Sequence, residues 1–259
     1  MAQNYRSYVA IGDSFTEGVG DDTADGGVRG WADLVALGLA LADRDATAEP
    51  VTYANLAIRG RLLAPLVREQ LQPAIALRPD LISINGGGND IMRPKVSIDA
   101  ITDELVDAVE TAATSGCRVL LVSGANPTRH IPLGRYIEAR GNRFAQGIRD
   151  RLPLANTIYV DNWADAELAE LEYWSLDKLH LGPLGHERVA ANVLAALEVE
   201  LPESWTAGAT SVQHTQPTAA YWREYVLPWI GRRLTGRSSG DNRVPKIATL
   251  QPVEVPQSL

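Results

Sequence analysis

Five short apolar runs, each followed by a longer segment with helical spacing, constrain the fold of this chain more than any other feature of its sequence. Four of the runs are almost continuously apolar, as in parallel strands that are covered on both faces of a sheet. The second run has polar residues interleaved, which suits a strand at the edge of the sheet. The predicted strands are residues 7–12, 51–57, 80–87, 118–124 and 157–162.

The segments that follow the runs have the spacing of amphipathic helices. In the clearest case, Ile98, Ile101, Leu105, Val106 and Val109 fall on one helical face. Strands that alternate with helices predict an α/β fold with a doubly wound parallel sheet and right-handed crossovers. The predicted helices are residues 31–41, 62–77, 98–115, 136–152 and 186–201.

The composition changes near residue 203, where a polar, turn-rich stretch begins. We expect a main domain over 1–203, a linker and an appended aromatic helix over 204–240, and a loosely ordered tail over 241–259. An apolar stripe of this kind packs on the body of its own chain, contacts a second subunit in a homo-oligomer, or attaches to a membrane surface, and packing is the favoured interpretation. Within 217–234 the stripe consists of Trp222, Tyr225, Val226, Trp229 and Ile230.

Charge and cysteine content argue against several function classes. The formal net charge of −8 argues against nucleic acid as a partner, because phosphate contacts need a basic surface. The one cysteine, Cys117, excludes an internal disulfide and a cysteine-rich metal site. No run of about 18 apolar residues is present, so we expect no membrane span. The first apolar run is too short for a secretory signal, and we expect a cytoplasmic location.

The first predicted strand ends on Gly12-Asp13-Ser14, which places a hydroxyl at a strand-to-helix turn. Open α/β sheets bind their ligands at this edge, so Ser14 is a candidate nucleophile. Serine is also a preferred helix N-cap, because its side-chain oxygen accepts a bond from a helical N–H. Taken alone, the cap is the stronger interpretation, and the rest of the chain must decide.

Other segments at strand ends and before the last helix supply the remaining parts of an acyl-transfer site. Such a site needs a base for the nucleophile and donors for the oxyanion. Gly60 lets backbone approach a substrate closely, and the side-chain amide of Asn89 follows three glycines. His180 is a candidate base, and Asp177, three residues earlier, is placed to accept a bond from its other ring nitrogen.

These segments together resemble the four sequence blocks of the SGNH (GDSL-type) hydrolases. The blocks are Gly12-Asp13-Ser14, Gly60, Gly87-Gly88-Asn89-Asp90 and Asp177-Lys178-Leu179-His180, in the family's order. The resemblance spans residues 8 to about 190 and makes 1–203 the hydrolase domain. It implies a flavodoxin-like three-layer α/β/α sandwich with a five-stranded parallel sheet. It also implies a triad of Ser14, His180 and Asp177, and an oxyanion hole of Ser14, Gly60 and Asn89.

The sequence therefore predicts a serine hydrolase, an esterase or lipase, that cleaves small-molecule carboxylic esters through an acyl-enzyme. We expect it to need no cofactor and no metal. An acyl-thioesterase or a lysophospholipase on the same triad is the alternative among enzymes. A non-catalytic binding module that keeps the fold is the alternative from another class. The sequence does not identify the acyl or alcohol group.

Several other polar residues have competing interpretations. His186 suggests a metal site with His180, but a place at the start of the last helix is favoured. Asp13 and Asp90 are expected to brace their loops. Arg129 and His130 either contact substrate or brace a loop. For Cys117, a buried structural thiol is favoured over a reactive one. The acidic stretch 21–25, with Asp21, Asp22 and Asp25, is expected to be a solvated loop, with a bound cation as the alternative.

Overall fold

The five predicted strands form the parallel part of one sheet. The computed structural model describes residues 5–43, 49–199 and 240–256. The strand order β5-β4-β3-β1-β2 is that of flavodoxin-like folds, with the reversal between β1 and β3 where such sheets bind ligands. The strands are β1 Ser7–Ile11, β2 Thr52–Asn55, β3 Leu81–Ile84, β4 Arg118–Val122 and β5 Thr157–Val160.

A sixth strand corrects the prediction of a five-stranded, wholly parallel sheet. β6, Ile247–Pro252, pairs antiparallel with β2, so β2 is an interior strand and not the edge. The expectation of a loosely ordered tail over 241–259 is therefore wrong for these residues. The sequence gives no period-two signal for this strand, because its two half-buried residues, Ile247 and Leu250, are three positions apart.

Helices follow the strands nearly as predicted. The predicted helix 62–77 is divided in two by a π-helical segment, Val67–Leu71. The last helix begins at Pro183, earlier than predicted, because proline suits the first helical position. The helices are α1 Ser14–Glu17, α2 Trp31–Ala42, α3 Leu63–Leu66, α4 Gln72–Ala76, α5 Gly88–Ile91, α6 Ile98–Thr114, α7 Gly134–Arg149 and α8 Pro183–Ala196.

Two apolar cores hold the three layers together, one on each face of the sheet. On one face α2 and α8 pack on the strands around the fully buried Trp31 and Leu194. On the other face α6 and α7 cover the sheet with side chains such as Leu105 and Ile148. The sheet's C-terminal edge lies between these layers. Residues 204–239 of the predicted linker and aromatic helix lie outside the described residues. They include the 217–234 segment, for which we expect packing on its own chain or contact with a second subunit.

Candidate active site

The structure brings Ser14, His180 and Asp177 into one hydrogen-bonded chain. Ser14 is the first residue of α1, directly after β1, and the other two lie on the loop before α8. His180 Nε2 lies 3.1 Å from Ser14 Oγ, and His180 Nδ1 lies 2.5 Å from Asp177 Oδ2. In this arrangement the imidazole can take the Ser14 proton while the carboxylate holds the other ring nitrogen.

The Asp177 carboxylate is fixed by its own loop. Its Oδ1 accepts bonds from Ser175 Oγ at 2.7 Å and from the backbone N–H groups of Leu179 and His180, both at 2.9 Å. Burial disfavours the charge, but His180 and these donors outweigh it and lower the pKa of Asp177 well below its ordinary value. The loop therefore presents an ionised carboxylate to the imidazole.

The contact between Asp177 and His180 also shifts the pKa of His180. Burial alone would lower its pKa, but the Asp177 carboxylate, with a smaller contribution from Asp13, raises the pKa of His180 above its ordinary value. The side chains of His180 and Asp177 are 24% and 23% exposed. A proton received by His180 is thus stabilised beside a carboxylate, as a general base requires.

The turn that carries Ser14 is braced from both sides. Asp13 is the N-cap of α1, because its Oδ1 accepts from the Phe15 N–H at 3.0 Å. The cap interpretation therefore belongs to Asp13, and the Ser14 hydroxyl bonds to His180 instead. Gln70, in the π-helical segment, holds Gly12 by accepting from its N–H at 2.8 Å and donating to its carbonyl at 3.0 Å. The sequence analysis missed Gln70, because no feature of the predicted helix 62–77 marks this polar residue as a partner of Gly12.

The two other candidate oxyanion donors follow the neighbouring strands, Gly60 on the loop after β2 and Asn89 in α5 after β3. Gly60 has a φ of 75°, a conformation that favours glycine. Asn89 donates its side-chain amide to Asp13 Oδ2 at 2.9 Å and to the Arg61 carbonyl at 3.1 Å. A primary amide has two hydrogens, so both are engaged in this state and an oxyanion would have to share or replace one of these bonds.

An apolar cavity opens beside this chain of residues and extends between the sheet and α7. Its empty space is about 990 Å³, including the part open to solvent. Ser14, Asn89 and His180 are its polar lining near the reacting atoms. Its apolar lining includes Leu105, Leu121, Phe144, Ala145, Ile148 and Trp163.

His186 has a structural environment. It lies inside α8 rather than at its start and is fully buried. Its Nδ1 accepts from the Trp31 N–H at 3.2 Å, and its Nε2 donates to the Val19 carbonyl at 3.3 Å. Burial lowers the pKa of His186 to about 3, so it stays neutral. Both ring nitrogens are engaged by backbone, which opposes the metal interpretation.

The acidic stretch 21–25 is bonded within its own neighbourhood. Asp21 pairs with Arg29 at 2.9 Å. Asp25 accepts from Thr23 Oγ1 at 2.5 Å and from the Gly27 N–H at 3.3 Å. Over the described ranges, no three His, Cys, Asp or Glu side chains are grouped so as to hold a metal ion.

The remaining candidates also contact protein groups. Asp90 Oδ2 accepts from the Leu63 N–H at 2.9 Å, which ties α5 to the start of α3 and agrees with the expected bracing role. Arg129 pairs with Glu170 at 3.5 Å, and His130 lies 2.9 Å from the Ala169 carbonyl through Nε2. These contacts agree with loop bracing. Cys117 is buried, as expected for a structural thiol.

The order of these elements matches a known family. The model of the GDSL-like lipase/acylhydrolase family matches residues 10–188. The chain belongs to this family. The GDSL-like match includes α1, the Gly60 and Asn89 loops and the Asp177–His180 loop. It ends before β6. No relative was found among curated protein sequences.

Several solved structures share the fold of this chain. The structure of TesA is 25% identical with a TM-score of 0.56, over 74% of this chain and 98% of its own. An acetylxylan esterase, Axe2 from Geobacillus stearothermophilus, is 20% identical with a TM-score of 0.56, over 76% and 97%. The lipase Lip_vut3 from goat rumen metagenome is 20% identical with a TM-score of 0.55, over 73% and 96%.

Within the described residues, no helix has the length and apolar character needed to cross a bilayer.

Proposed function

We propose that the protein hydrolyses carboxylic esters through an acyl-enzyme formed on Ser14. The observation that carries this proposal is the hydrogen-bonded chain from Ser14 through His180 to Asp177 at an apolar cavity. A binding module that had lost catalysis would need neither the 3.1 Å contact of the hydroxyl with the imidazole nor the carboxylate behind it.

The reaction proceeds in two acyl transfers. The Ser14 oxygen attacks the acyl carbonyl while His180 Nε2 takes the hydroxyl proton, and Asp177 stabilises the imidazolium. His180 then gives that proton to the departing alcohol, and the acyl group remains on Ser14. Water attacks the acyl-enzyme with His180 again as the base, releasing the acid and restoring the serine.

The negative charge on the carbonyl oxygen needs preorganised donors. The backbone N–H groups of Ser14 and Gly60 and the side-chain amide of Asn89 are the donors we assign. Such donors act more strongly as negative charge develops on the oxygen in the transition state than on the neutral carbonyl of the bound substrate. Asp13 and the Arg61 carbonyl hold the Asn89 amide at this edge of the sheet, and the oxyanion would share or replace one of these two bonds.

The cavity favours an aliphatic acyl group. Its deep lining is formed by Leu, Ile, Ala and aromatic side chains, which an acetyl group on Ser14 is too short to contact fully. Burying a methylene contributes about 0.8 kcal/mol, or about fourfold in kcat/KM for each carbon that enters. An acyl-thioesterase or a lysophospholipase would use the same acyl cavity and differ only in the leaving group.

The proposal is tested with a series of p-nitrophenyl esters from acetate to palmitate, with acyl thioesters of the same chains beside them. Ser14→Ala should lose several orders of magnitude in kcat because the activated nucleophile is gone. Ser115→Ala, a change at the far end of α6, is the matched control. An organophosphonate should add its mass to Ser14. An adduct on another residue, or a Ser14→Ala variant with about a tenth of wild-type activity or more, would refute the mechanism.

A further inference from the structure

Lys246, directly before β6, reaches the end of the helix that begins with Ser14. Its Nζ donates to the carbonyl of Glu17, the last residue of α1, at 2.6 Å. It also donates to the Val28 carbonyl at 3.2 Å and to Asp33 Oδ2 at 2.6 Å. A cation satisfies a helix C-terminal carbonyl that has no partner within the helix. Lys246 thus joins α1 to the start of α2.

The Glu17 side chain connects this point with the Gly60 loop. Its Oε2 accepts from the Arg59 N–H at 2.6 Å, and its Oε1 accepts from Arg59 Nε at 2.8 Å. The Glu17 side chain is 9% exposed, so this ion pair is largely shielded from water. Arg59 is the residue before Gly60. The backbone that presents the Gly60 N–H is therefore held by a residue of the nucleophile helix.

The segment before Lys246 packs on the same loop. A Cβ built on Gly240 would lie 2.1 Å from the Arg59 carbonyl oxygen, so only glycine allows this approach. Asp241 lies 3.9 Å from Arg61, and Arg243 lies 3.8 Å from Glu17. All these contacts come from residues beyond 188, where the family match ends.

We propose that Lys246 and Glu17 are positioning residues that set the Gly60 N–H relative to Ser14. The inference rests on the proposed function, because the position of the Gly60 N–H affects the rate only if this group is an oxyanion donor for the reaction at Ser14. A misplacement of about 1 Å at such a donor can cost about 10² in rate without breaking any contact with the substrate. The segment 240–246, directly before β6, is then a part of the catalytic apparatus that the family match does not include.

The kinetic test compares Lys246→Met with Lys95→Met, which removes an exposed lysine outside the segment 240–246. Active sites are counted by phosphonate titration, so that misfolded molecules do not lower the apparent kcat. We expect Lys246→Met to lower kcat per active site about tenfold or more with KM nearly unchanged, since only transition-state stabilisation is lost. A normal kcat per active site, or a change in KM alone, would overturn the proposal.

Amide hydrogen exchange gives a second readout that does not depend on ester hydrolysis. Lys246→Met should speed exchange at residues 58–61 and 14–19 and leave α6 unchanged. If the wild type hydrolyses no ester, the proposed function fails, while the exchange data still decide whether Lys246 orders the loop. If Lys246→Met does not fold, Glu17→Gln decides, because it keeps the Glu17 carbonyl and removes the carboxylate. Normal exchange at 58–61 in that variant would overturn the proposal.

Discussion

The side-chain amide of Asn89 donates to the carboxylate of Asp13 over 2.9 Å, which links a residue after β3 to the residue before Ser14. Asp13 also caps α1 through the Phe15 N–H. Burial raises the pKa of Asp13, while the Phe15 N–H, His180 and the Asn89 amide oppose that shift. One carboxylate therefore orients both the nucleophile turn and the amide that we assign to the oxyanion. This contact spans the reversal in strand order, where the loops after β1 and β3 diverge.

The first prediction concerns the Asn89 amide. Asn89→Ala should lower kcat by about 10²–10³, because a donor that acts mainly in the transition state is removed. KM should change little. Steady-state kinetics on one ester, with active sites titrated, separate the two constants. A variant with normal kcat and only a higher KM would reassign Asn89 to substrate binding or loop structure.

The second prediction concerns the pH dependence of the base. His180 acts in its neutral form, and Asp177 raises its pKa above the ordinary value of about 6.5. Activity should therefore be lost as the pH falls through a value above 6.5, and gained as the pH rises through it. The logarithm of kcat/KM plotted against pH reports this value for the free enzyme.

Asp177→Asn tests the cause of that shift. Without the carboxylate, burial is left to lower the pKa of His180, so the acidic limb should move to lower pH. The maximal rate should fall by about 10³–10⁴, because the imidazolium loses its partner. A limb that stays where it is in the wild type would show that another group titrates.

The third prediction concerns the cavity. Ala145, on α7, is 3% exposed and lines the cavity, so Ala145→Leu should fill part of it. We expect kcat/KM for the octanoate ester to fall about tenfold or more relative to the acetate ester, since buried methylenes are excluded. Ala100→Leu, at an exposed position of α6, is the control. Equal loss on both esters would place the acyl chain elsewhere.

The prediction for the Gly124 position has the same logic. A Cβ on Gly124 would have the Asn85 side-chain nitrogen, at 3.9 Å, as its nearest non-neighbouring atom, so there is room for a side chain. Gly124→Val should therefore shorten the preferred acyl chain with little effect on stability. A large loss of thermal stability, with chain-length preference unchanged, would contradict this.

The fourth prediction concerns a buried carboxyl near the site. Burial raises the pKa of Asp90 to about 6, with Asp13 and Glu104 adding to the effect and the Leu63 N–H opposing it. A raised folded-state pKa means that the folded protein binds this proton more tightly than the unfolded chain. The Asp90 contribution to stability should therefore fall as the pH rises from about 4 to about 6.

Asp90→Asn isolates this contribution. An asparagine oxygen can still accept from Leu63, and the buried charge is gone. The variant should be more stable than the wild type by about 3 kcal/mol well above pH 6, with the difference vanishing below about pH 4. Urea unfolding at several pH values measures it. A difference that does not depend on pH would show that Asp90 is not the titrating group.

The residues of the candidate site follow local signals in the sequence, whereas the interactions that hold them do not. Ser14 and Asn89 follow glycine turns at the ends of apolar strands, and His180 follows Asp177 by three residues before the last helix. Gln70 and Lys246 follow no such signal. Gln70 bonds to a glycine 58 residues away, and Lys246 to a carbonyl 229 residues away. Such contacts depend on packing between distant segments, which residue patterns do not encode.

The wrong prediction that β2 lies at the edge of the sheet also results from contacts between distant segments. The polar residues of β2 suggested exposure, but Asn55 is fully buried. Its amide donates to the Thr16 carbonyl and to Tyr53 Oη, both at 2.9 Å, and its oxygen accepts from the Ala57 N–H at 3.1 Å. A buried polar residue with every bond satisfied looks, in sequence, like a surface residue.

The last prediction concerns β6 as a cover for the sheet. Deleting residues 246–259 removes the strand that pairs with β2, together with the bond from the Val253 N–H to the Val51 carbonyl at 2.8 Å. An uncovered interior strand offers unpaired backbone groups to other molecules, so we expect association as well as lower stability. A loss of about 3 kcal/mol would lower Tm by about 6–12 °C in a chain of this size. Deleting 256–259, which begins at the exposed Pro256 and leaves the whole of β6, is the control. Thermal melts and light scattering measure both variants. If the longer deletion keeps the oligomeric state and the Tm of the wild type, β2 does not need β6 as its cover.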